Sequence, residues 1–68
     1  MQSKKSAHTI ERFEKLSALL RGEQFRLLDA ASRHHVLPGK SVLKLIAELE
    51  LNIVAVENSI TELKNSIT

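Results

Sequence analysis

The second half of the chain carries an unbroken heptad seam: Val42, Ile46, Leu49, Ile53, Val56, Ile60, Leu63 and Ile67. Steps of four and three alternate throughout, with Ile at every a position and Leu or Val at every d position. This is the pattern that lays one α-helix lengthwise along another. No Gly or Pro interrupts residues 42–68, so a single helix is predicted there, on the order of 40 Å long at ~1.5 Å rise per residue. Such a stripe has to be buried, and in a chain of 68 residues that requirement shapes everything else.

Gly and Pro locate the element that covers it. The sole proline, Pro38, is followed by Gly39, and the other glycine is Gly22. Pro cannot continue a preceding helix and Gly accepts φ > 0 at a helix end, so Leu37–Lys40 reads as a turn between two helices. The first arm is read from about residue 6 to 36, capped by Ser6 or Thr9. Glu11–Lys15 and Asp29–Arg33 form i,i+4 ion pairs in this reading, and Arg33, His34 and His35 occupy the last turn, beside the carbonyl end. Its apolar stripe is Ile10, Phe13, Leu16, Leu20, Leu27 and Ala31, with Leu19, Phe25 and Leu28 partly off it. Gly22 costs about 1 kcal/mol against Ala within a helix and is the point at which this arm can break in two. Ser41 is read as the cap of the second arm, about residues 41–67. The predicted fold is one all-α domain over residues 1–68: an antiparallel, coiled-coil-like helical hairpin with its seam packed on Phe13, Leu16, Leu20 and Leu27.

Two helices bury little apolar surface, so a hairpin of this size is expected to self-associate or to hold another protein by helix–helix packing. Phe25 and Leu28 on the first arm, and Leu43, Leu45, Leu51 and Val54 at e, g, f and b positions of the second, lie outside what one hairpin covers. They are the candidate partner face. The chain has no Cys, no apolar run follows Lys4 and Lys5, and the longest apolar run, Ile53–Val56, is far too short for a bilayer. These features read as a soluble, cytoplasmic protein without membrane contact.

Formal net charge is +2, with basic residues interleaved among acids and with Phe13 and Phe25 as the only aromatics. That is neither a phosphate-binding stripe nor a stacking platform, and nucleic acid is not an expected partner. His34 and His35 are adjacent, so on a helix they point to different faces, and no third ligand stands at metal spacing. No nucleophile elbow, phosphate loop or paired-carboxylate spacing occurs either. No catalytic, cofactor-binding or metal-binding residue is assigned; the reading is a non-enzymatic interaction module.

The alternative weighed is a small helix-turn-helix DNA-binding regulator. In it, residues 23–28, 45–52 and 56–60 mark three helices, Leu51-Asn52 forms the internal turn and Ile53–Lys64 is the recognition helix. Ile46 stands where such motifs need a small residue and Glu50 where they favour Gly. The groove-facing set Ile53, Val54, Ala55, Glu57 and Asn58 contains no base.

The hairpin with Leu49-Glu50-x-x-Ile53 in its second helix resembles the small co-chaperones of type III secretion needle subunits. That resemblance implies pairing with a helical-repeat chaperone to keep a needle protein unpolymerised in the cytoplasm. Residues 42–50 are also similar to the second helix of sporulation aspartyl-phosphate phosphatases. That signature wants Ser at Ile46 and Asp at Glu50, so the activity is not expected here. Phe13-Glu14-Lys15 and Leu37-Pro38 resemble the small subunit of exonuclease VII, with a spacing about one helical turn too long.

Overall fold

The computed structural model describes the backbone of residues 3–66 and the side chains of residues 7–66. Ile67, the last member of the seam, lies outside the described residues. Two α-helices, α1 (Ser3–Ser32) and α2 (Lys40–Ser66), are joined by a connection over residues 33–39. The pair forms a rod of 54 × 14 × 14 Å. Contacts between the helices run in opposite directions along the chain: Gln24 meets Glu50, Arg21 meets Glu57 and Glu14 meets Lys64. The fold is therefore an all-α antiparallel hairpin. No described helix is long and apolar enough to cross a membrane.

The seam of α2 faces α1. Ile53, at its centre, is 0 % exposed, Leu49 is buried, and Val42, Ile46, Val56, Ile60 and Leu63 are each partly covered. The row that meets it on α1 is Ile10, Phe13, Ser17, Leu20, Gln24, Leu27 and Ala31, none of them exposed. This row keeps the same three–four alternation and so lies along α2 without drifting off its face. It corrects the expected stripe at two positions: Leu16 is exposed and the buried Ser17 takes its place, and Gln24, outside the expected stripe, is turned inward.

The helix ends also differ from expectation. α1 begins at Ser3, so Ser6 and Thr9 lie inside it, and it passes Gly22 without a break. Gly22 sits on the outer face, where a Cβ would meet nothing within 4 Å. Its propensity penalty is a local one, outweighed by the packing of the turns on either side. α1 stops at Ser32, leaving Arg33, His34 and His35 in the connection, where Arg33 N–H and His34 N–H donate to the carbonyls of Ala30 and Ala31 at 3.3 and 3.2 Å. The reason is the end of the apolar row. After Ala31 the next inward positions are His34 and Pro38, neither of which fits a helical core.

At the other end, Gly39 rather than Ser41 holds the N-cap position. Its carbonyl accepts the Leu43 N–H at 3.1 Å, and α2 starts at Lys40. No glycine has positive φ, so the Pro38-Gly39 pair ends the connection by opening α2, not by a left-handed close of α1. Of the two expected intrahelical ion pairs, Asp29–Arg33 forms at 2.7 Å, while Glu11 and Lys15 do not pair.

Candidate functional site

The two long edges of the hairpin are unlike. Along one, polar groups bridge the helices. Ser17 Oγ donates to Glu57 Oε2 at 3.3 Å, and Arg21 donates to that same oxygen from Nε at 2.9 Å and Nη2 at 2.6 Å. Gln24 Nε2 donates to Glu50 Oε1 at 2.9 Å, and Lys64 Nζ lies 3.4 Å from Glu14 Oε2. Glu50, Glu57 and Lys64 are the successive e positions of α2, so this bridged edge is a ladder with one rung per heptad. Each rung is solvent-accessible and worth under about 1 kcal/mol, but together they admit one register.

On the opposite, open edge no ion pair joins the two helices among the described residues. Phe13, Leu16, Ala55, Val56 and Ser59 line a hollow of about 170 Å³. It continues into one of about 440 Å³ lined by Thr9, Phe13, Ser59, Glu62, Leu63 and Ser66. On α1 this edge presents Arg12, Leu16, Leu19, Glu23, Arg26 and Ala30 at alternating steps of four and three. On α2 it presents Leu45, Glu48, Asn52, Ala55, Ser59 and Glu62. Leu19 is 72 % exposed. The row on α1 is bulky at its centre, with Leu16 and Leu19, and holds two arginines to one glutamate; the row on α2 is small at its centre, with Ala55 and Ser59, and holds Glu48 and Glu62 with no base. Glu23 accepts from Arg26 Nε at 3.0 Å and Nη2 at 2.6 Å. That hydrogen bond holds the Glu23 carboxyl below its ordinary pKa and raises that of the Arg26 guanidinium.

All six residues of the expected partner face are exposed: Phe25, Leu28, Leu43, Leu45, Leu51 and Val54. They do not form one face. Phe25 and Leu28 follow Arg21 by four and seven residues, Leu43 precedes Glu50 by seven, and Val54 precedes Glu57 by three, which sets these four on the bridged side. Leu45 stands on the open side, three residues before Glu48. Leu51, 70 % exposed, points away from α1. Leu16 and Leu19 are apolar surface that sequence reasoning left out of the partner face. The signal for Leu16 was its step of four from Arg12 and of seven from Glu23, which makes it a flank position.

At the connection, Leu27, Ala31, His34, Pro38 and Val42 are among the residues around an open apolar hollow of about 340 Å³, with Val36 and Leu37 exposed beside it. α2 runs unbroken from Lys40 to Ser66, so the turn at Leu51-Asn52 that a helix-turn-helix requires is absent. Residues 45–60 form one helix with Ile53 facing α1. No protein-family model, curated protein or solved structure matches the chain.

Proposed function

We propose that the chain is a non-enzymatic module that holds another protein helix to helix, through the bridged-side apolar patch of Phe25, Leu28, Leu43 and Val54. One observation carries this reading. Among the described residues, ten large apolar side chains are exposed and three, Ile10, Leu49 and Ile53, are buried. A hairpin that buries so little has its remaining apolar surface available for another helix. Phe25, 70 % exposed, is the natural anchor, since aromatic side chains dominate the energetics of such contacts. The resemblance to co-chaperones of secretion-needle subunits supplies the most specific form of the proposal, in which the partner is a helical chaperone and the pair keeps a needle protein unpolymerised.

Affinity capture from the native cell with the wild-type chain and with the double variant Phe25→Ser, Val54→Ser tests it. Both positions lie off the seam, so helicity by circular dichroism is expected to stay unchanged while the captured partner is lost. Wild-type yield from the folded double variant would remove the patch from the binding surface.

A further inference from the structure

From the open edge we infer that a second copy of this chain docks there, with the two-fold axis along the rod. α1 of each hairpin then lies on α2 of the other, and both connections sit at the same end of a four-helix bundle.

The charges on that edge choose the arrangement. Glu62 lines the same hollow as Phe13 and Ser59, one heptad step from Ala55, while Arg12 stands four residues before Leu16 on the facing helix. Arg12 and Glu62 are therefore level along the rod. Arg26 and Glu48, each fourteen residues further toward the connection, are level too. Neither Glu48 nor Glu62 has an ion-pair partner among the described residues. A two-fold axis along the rod sets Arg12 over Glu62 of the second copy, and Arg26, which already holds Glu23 of its own helix, over Glu48. It also sets Leu16 and Leu19 over Ala55 and Ser59, large side chains over small ones, so the helices can approach closely. The antiparallel alternative lays α2 on α2, where the acidic row would meet its own like and lack a cation. The bridged edge takes no part, so this contact is independent of the partner patch proposed above.

The test combines sedimentation equilibrium with a charge swap. Wild type is expected to be a dimer. Arg12→Glu should raise its dissociation constant about tenfold, through two symmetry-related contacts turned from attraction to repulsion. Adding Glu62→Arg to the same chain should bring it back to within about threefold. All positions are exposed, and circular dichroism checks that each variant is folded. Direction is read separately with a nitroxide on Leu37→Cys, a unique thiol in a chain without cysteine and 82 % exposed. The label pair should lie within about two helix diameters, roughly 20–25 Å. A monomer at submillimolar concentration, a swap that does not rescue, or labels separated by most of the 54 Å long axis would each overturn the inference. Loss of the dimer with retained partner capture would leave the proposed function standing.

Discussion

Arg21 reaches Glu57, 36 residues away in the chain, and places both Nε and Nη2 on one carboxylate oxygen that Ser17 Oγ also approaches at 3.3 Å. Three donors on one oxygen give this point of the bridged edge the densest polar contact between the helices. It stands one turn from the buried Ile53, so the register of the apolar seam and that of the polar ladder are fixed together. Glu57→Ala removes the acceptor for all three and is expected to lower stability by up to about 1 kcal/mol, the pair being half-exposed and screened. Glu57→Gln, which keeps an acceptor for Ser17, should cost less. Urea titration of the two variants separates the contributions.

Ile53→Asp places a carboxylate where no solvent reaches. An unpaired buried charge costs several kcal/mol, more than a hairpin with three buried apolar side chains among its described residues can absorb. Loss of the helical signal in circular dichroism at room temperature is expected. An unchanged thermal midpoint would show that the seam does not face α1.

Gly22→Ala should stabilise. The new methyl meets nothing within 4 Å, and the exchange removes backbone freedom from the unfolded chain, for a gain of about 0.5–1 kcal/mol. In a chain of this length that corresponds to a thermal midpoint several degrees higher.

Lys40 opens α2, whose first turn contains no acid. A cation there opposes the helix dipole, so Lys40→Glu is expected to add about 0.3–1 kcal/mol at low ionic strength. The gain should shrink as salt is added.

Arg26 holds the carboxyl of Glu23 below its ordinary pKa, first through their hydrogen bond and then through charge. A folded-state pKa lower than the unfolded one contributes stability that is present above the unfolded value and lost as pH falls through the folded value. Carboxyl NMR titration should show the Glu23 midpoint moving upward in Arg26→Gln. A midpoint that stays in place would mean the pair does not persist in solution.

The hairpin and the inward face of α2 were legible because that helix spells its seam in apolar residues without exception. The inward row of α1 was not, since two of its members, Ser17 and Gln24, are polar and a neighbouring Leu16 imitates a core position. Their inward placement depends on the facing carboxylates of Glu57 and Glu50, which no pattern along α1 alone contains. The helix ends moved for related reasons: Gly39 supplies the cap that Ser41 was expected to give, and α1 stops when its next inward residue becomes His34. The apolar surplus could be counted in the sequence. Its division between the two edges could not, because that depends on which flank each polar rung occupies.

Ser3 and Ser66 lie at the same end of the rod, opposite the connection. A pull applied there loads the hairpin as a zipper, not in shear. Glu14–Lys64 is loaded first, then Arg21–Glu57, then Gln24–Glu50, each together with the seam side chains level with it. The molecule is thus mechanically soft along the one direction in which a tether at that end can act. A load there separates the arms from that end and reaches Leu27 and Val42, which border the same hollow beside the connection, last.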